Sequence, residues 1–201
     1  MQIWVLNRCR YPQDIYDRLW YRSSLTPESS LFQITPDSVD VSNSTGRPPM
    51  SVVQSIVVAK NIAYTISPSS IISPLTRTTT TGQHNYSVML YFFEFNKAVV
   101  NRSGQRVFNL TLSIGNSALI NQETLDIFSL VGVDKLWEVS TGKTPVGPYG
   151  GDIKIEIVTL PTSQLSASIA AAEVLQLFSN SMLTPTASSD GMHLIFVCVY
   201  A

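Results

Sequence analysis

The chain has 201 residues, enough for one well-formed core, and a formal net charge of −1. That balance leaves no basic excess to hold nucleic acid or an acidic membrane surface. Charged residues make up 13% and hydrophobic residues 44%, which excludes a disordered chain, and a Ser/Thr share of about a fifth beside many Val and Ile favours strands over helices.

Residues 1–22 hold one compact cluster, from Arg10-Tyr11-Pro12-Gln13-Asp14 to Trp20-Tyr21, in which aromatics alternate with both charge signs. It reads as an ordered loop pinned by ion pairs. The apolar stretch Ile3 to Leu6 is shorter than the ~7–15 residues of a signal-peptide core, so the chain as written would stay in the cytosol. Residues 23–51 are rich in Ser, Thr and Pro and read as loop with at most short strands. Val52 to Val58 and Ile62 to Ile66 are β-branched runs, broken by Lys60-Asn61. Residues 67–84 are punctuation. Tyr86 to Phe95 is an apolar strand without clean alternation, which predicts burial on both faces.

Two later segments alternate strictly. Phe108, Leu110, Leu112 and Ile114 interleave with Asn109, Thr111 and Ser113, and Ile153, Ile155 and Ile157 interleave with Lys154 and Glu156. Period 2 predicts strands with those apolar residues inward. Pro145, Gly147-Pro148 and Gly150-Gly151 are turn material before the second. Ile169 to Phe178 suits a helix by its alanines and a strand by its alternation; propensity alone leaves both open. Residues 179–190 are polar linker. Leu194 to Ala201 is an uncharged apolar end, far too short to span a bilayer, and is either a terminal strand or the product of a truncated reading frame.

Catalytic chemistry is hard to find. His84 and His193 have no Cys, Asp or second His at ligand spacing, and Cys9 and Cys198 lack the companions of a zinc site. Thr141-Gly142-Lys143-Thr144 ends like a phosphate loop, but Trp137 stands where that loop needs glycine. Asp14, Asp17 and Glu28 could pair as carboxylates, yet nothing around them would raise one carboxyl, and the simpler reading is that Asp14 and Asp17 fix Arg10 or Arg18. No cofactor and no metal are expected. Four Asn-x-Ser/Thr sequons begin at Asn43, Asn85, Asn101 and Asn109, a mild excess over chance that tilts toward a secretory chain.

The cluster Arg10 to Trp20 resembles the RYPDDxYDRxW signature of malectin-like domains in plant receptor kinases. Further segments agree in order. Arg47-Pro48-Pro49 with Val52-Val53 resembles a PP…V segment, and Tyr91-Phe92-Phe93-Glu94 resembles HFAE. Arg106-Val107-Phe108-Asn109-Leu110 resembles REFNV, and Ile169 to Leu177 resembles INAIEIYTV. Leu125-Asp126-Ile127-Phe128 also resembles LDIF of animal malectin.

The resemblance covers residues 10–178. It implies an all-β, jelly-roll type β-sandwich, the C-terminal module of the usual pair, incomplete at its N-terminus. Residues 1–9 and 179–201 are left as an unmatched N-terminal segment and an unmatched linker with apolar tail, and the sequence reads as a fragment or truncated product. By the same resemblance Ile169 to Phe178 is a strand. The implied role is a non-catalytic recognition module on the extracellular face of the plasma membrane, in a membrane-anchored parent receptor. Its partners would be cell-wall carbohydrate or a secreted peptide or protein. Aromatics available to stack on sugar are Trp20, Tyr21, Trp137 and Tyr149. Animal malectin has an aromatic pair after its FAE; here Phe95, Asn96 and Lys97 follow Glu94, leaving at most one aromatic. The alternative reading is a structural remnant without binding activity, its missing strand exposing a sheet edge.

Overall fold

The computed structural model describes residues 8–10, 19–22, 31–34, 38–67, 84–95, 98–141, 146–177 and 194–200, with the segments 8–10, 19–22, 31–34 and 194–200 described by their backbone alone. The strands in chain order are β1 (Arg8–Arg10), β2 (Leu19–Arg22), β3 (Leu31–Ile34), β4 (Ser55–Ala59), β5 (Asn61–Ile66), β6 (His84–Phe92) and β7 (Phe108–Ile114). They continue with β8 (Ser117–Leu125), β9 (Trp137–Ser140), β10 (Val146–Tyr149), β11 (Ile153–Thr159), β12 (Ala167–Ile169), β13 (Ala171–Leu177) and β14 (Leu194–Tyr200). Two short helices, α1 (Met50–Val53) and α2 (Ile127–Val131), complete the described elements.

A four-stranded sheet in the order β5-β11-β7-β8 packs against a larger sheet in the order β1-β2-β14-β13-β6-β10, in which β9 also pairs with β6. The alternation of β7 and β11 determines the inner face of the small sheet. Phe108, Leu110, Leu112, Ile114, Ile153, Ile155 and Ile157 all point inward and are buried. They meet Tyr86, Val88, Leu90 and Phe92 of β6, with Phe92 and Phe108 in a tilted ring contact at 5.5 Å. The turn between β7 and β8 is the pair Gly115-Asn116. Gly115 takes φ +56 there, and an added Cβ would run into the Gly150 carbonyl.

The opposite face of β6 is also covered. Met89, Tyr91, Phe93 and Phe95 form a second core with Val39, Val52, Val53, Ile56 and Leu136. Burial on both faces is the reason that β6 shows no clean alternation. Ile169 to Leu177 is extended, as the resemblance implied, but it changes partners on the way. β12 pairs with β4, Ala170 donates its N–H to the Tyr91 carbonyl, and β13 then pairs with β6 and β14.

Two sequence expectations are corrected, and a third is corrected at its ends only. The run from Val52 begins as helix, not strand: α1 starts behind Pro49, whose fixed φ suits a helix start, and Val52 and Val53 are buried by it. Gly147-Pro148, read as turn material, lie within strand β10 against β6. The charged aromatic cluster is flanked by β1 and enters β2, which pair with each other; its residues 11–18 lie outside the described residues. The apolar tail is a terminal strand, β14, antiparallel to β13 along its whole length and parallel to β2. Met1 to Leu6 lies outside the described residues.

Candidate functional site

The chemistry-bearing side chains of this fold are mostly buried. Glu94 follows β6 in a loop bridge with Val133, and Arg106 precedes β7. Arg106 Nε donates to Glu94 Oε2 at 3.0 Å, with the two side chains 5% and 0% exposed. Arg106 Nη1 donates to the Ser166 carbonyl, and its guanidinium lies 5.0 Å from the centroid of the Phe95 ring. Among the described residues Glu94 Oε1 finds no hydrogen-bond partner. Burial pushes the Glu94 carboxyl up to about 7, against the pull of Arg106, and Asp126 adds to the rise.

A second buried pair lies on β6 and β13. Tyr91 Oη donates to Glu173 Oε2 at 2.8 Å, and both residues are fully enclosed. The turn at Ser44–Arg47 covers them. Gly46 sits so close that an added Cβ would overlap the Tyr91 hydroxyl, and Glu138 of β9 holds the same turn by accepting from Gly46 N–H at 3.1 Å and from Thr45 Oγ1. The sequence offered a signal for both pairs: a lone carboxylate inside or at the end of an apolar strand, in a charge-poor chain, needs a buried partner. Glu94 and Glu173 both stand within the segments that carry the malectin-like resemblance.

The proposed sugar-stacking aromatics are not brought together. Trp137 is half-buried on β9, packed on the main core, and Tyr149 is on β10; neither is in a loop. They pair with Phe92 and His84 at opposite ends of β6, a strand of 9 residues, which separates their backbones by about 25 Å. Trp20 and Tyr21 lie on β2, opposite Cys198 and Val199. Trp20 stands between Cys9 and Cys198 in the sheet, so the two cysteines are two strands apart, about 9–10 Å, too far for a disulfide. Among the other aromatics whose side chains are described, Tyr64, Tyr86, Tyr91, Phe92, Phe93, Phe95 and Phe108 are buried and Phe128 is half-buried.

Thr141, the first residue of the phosphate-loop-like tetrad, does structural work. Its N–H donates to the Val88 carbonyl and its Oγ1 accepts from Val88 N–H. Lys143 and Thr144 lie outside the described residues, as do Asp14, Asp17, Glu28 and His193. Of the sequons, Asn43, Asn85 and Asn101 are exposed, and Asn109 is half-buried on the outer face of β7. Among the described residues no group of three or more His, Cys, Asp or Glu could hold a metal ion.

Comparison with known proteins gives one family and one fold. The Malectin-like domain model matches residues 4–177. The extracellular domain of ANXUR1 from Arabidopsis thaliana superposes with a TM-score of 0.55 at 14% identity, over 81% of this chain and 43% of that one. The plant receptor-like kinase ANX2 gives 0.51 at 12% identity, over 75% and 39%. Bacteroides uniformis beta-glucuronidase 2 gives 0.51 at 11% identity, over 85% of this chain and 17% of that one. The chain thus spans less than half of either receptor structure. No curated protein matches the chain.

Proposed function

This chain belongs to the malectin-like domain family, and from that premise we propose that it is a non-catalytic extracellular recognition module of the plant receptor-like kinase type. The observation that carries the reading is the family match over most of the chain, joined to a sandwich shared with two receptor structures. The beta-glucuronidase likeness, at 11% identity, carries the fold and no activity. Among the described residues no helix is long and apolar enough to cross a membrane. Anchoring to the plasma membrane is proposed for the parent receptor, by the family match.

The ligand is a secreted peptide or protein, or cell-wall carbohydrate. Geometry favours the first. A sugar clamped between two rings needs them within a pyranose of each other, whereas the backbones of Trp137 and Tyr149 stand about 25 Å apart. An extended ligand can use separated anchors. The test sets binding to an array of cell-wall oligosaccharides against capture of secreted peptides, with Trp137→Ala and Tyr149→Ala in both. Peptide capture weakened by either variant supports the reading. Binding to a single oligosaccharide, lost with one aromatic, replaces it with a sugar site, and no binding in either arm leaves a structural remnant.

A further inference from the structure

We infer that Asn109 is an N-glycosylation site whose first sugar covers Val158 on the open face of the small sheet. The inference rests on the extracellular reading above and adds a covalent modification to it. Strands β5, β11, β7 and β8 place Asn61, Val158, Asn109 and Thr124 in one row, cross-strand neighbours on the outer face. Directly opposed residues have their Cβ atoms about 5 Å apart, the width of a pyranose ring. Val158 is 47% exposed, the most exposed large apolar side chain described, on a face whose other residues are polar apart from the small Ala63 and Ala118.

The amide of Asn109 is already oriented. Thr124 Oγ1 donates to Asn109 Oδ1 at 2.8 Å, which fixes the carbonyl side toward β8. Nδ2, the atom that carries an N-linked glycan, makes no hydrogen bond among the described residues, and Val158 stands on the strand opposite β8. Thr111, the third residue of the sequon, shares the same face. In the transfer, Nδ2 of Asn109 bonds to the anomeric carbon of N-acetylglucosamine on a lipid-pyrophosphate-linked oligosaccharide. The bond from that carbon to the pyrophosphate oxygen breaks, the pyrophosphate leaves with the electron pair, and Nδ2 gives up one proton. The sugar's apolar face then lies over the Val158 methyls and removes them from water.

The experiment expresses the full chain behind a secretion leader in eukaryotic cells. Enzymatic deglycosylation in heavy-oxygen water then tags each formerly glycosylated Asn for peptide mass analysis. The expected result is a tag at Asn109 and the loss of one glycan step in both Asn109→Gln and Thr111→Ala, the second of which keeps the Asn109–Thr124 contact. Complete deglycosylation should lower the Tm by about 2–4 °C relative to material trimmed to one sugar. Val158→Ser should abolish that difference. Tags at Asn43 or Asn101 with none at Asn109, no tag at all, or a Tm difference unchanged in Val158→Ser, would each overturn the inference. Because the added leader directs the chain into the secretory route in every case, the tags decide the site whether or not the recognition-module reading holds.

Discussion

Replacing Arg106 by Met keeps the volume and the contact with Phe95 but removes both charge-assisted donations, to Glu94 and to the Ser166 carbonyl. Glu94 would then be a buried carboxylate whose Oε1 and Oε2 both lack a described partner. Breaking one side of a buried ion pair costs about 3–5 kcal/mol, a large part of the ~5–15 kcal/mol that a domain has. The pH dependence identifies the cause. The Glu94 carboxyl, ordinarily near 4.5, is raised to about 7 in the fold. A raised value means that its contribution to stability is fully present below 4.5 and is lost as pH rises through about 7, on the order of 3 kcal/mol at ~1.4 kcal/mol per pH unit. Without Arg106 the carboxyl climbs further, so the variant should lose more at pH 8 than at pH 5, where Glu94 is protonated in both proteins. Urea unfolding of wild type and Arg106→Met at the two pH values measures this. A cost below about 1 kcal/mol at pH 8, or an equal cost at both values, would refute the account of a buried, partly satisfied pair.

Gly46→Ala should destabilise by about 1–3 kcal/mol, because the new methyl meets the Tyr91 hydroxyl held by Glu173; an unchanged urea midpoint would mean that the turn can lift off without loss. Ending the chain at residue 193 removes β14 and frees the edge of β13, so light scattering should show self-association and amide exchange should accelerate along β13 and β2. A monomer with β13 still protected would contradict this. Leu112→Ala, at the centre of β7 and fully buried, should cost about 2–5 kcal/mol in chemical unfolding, whereas Val158→Ala in the unglycosylated protein should stay within about 0.5 kcal/mol.

What could be read from the sequence depends on how each element meets the core. β7 and β11 were legible because one face is dry and the other wet, so every second residue reports its position. β6 was legible as doubly buried because its lack of alternation is itself the signature. β8 gave no signal: it is an edge strand, and much of its sequence from Asn121 to Thr124 faces solvent. β10 was hidden by Gly147 and Pro148, tolerated because β10 ends the sheet beside β6. α1 has four residues, too few for any periodicity, and tertiary burial of Val52 and Val53 sets it. The separation of Trp137 from Tyr149 has a topological reason. Trp137 and Tyr149 are close in sequence, but β9 and β10 run end to end along β6, a geometry that residue spacing does not encode.

The placement of β14 also bears on the order in which the molecule can assemble. Among the described pairings, the β1–β2 hairpin joins the rest of its sheet only through β14. The first described strands to leave the ribosome therefore wait for the last one, while the two central sheets between them can already condense. Such a closure over nearly the full chain carries a high loop entropy and belongs with the slow steps of folding. During synthesis the hairpin and the β13 edge both present unpaired backbone groups, open to pairing with another strand until β14 arrives.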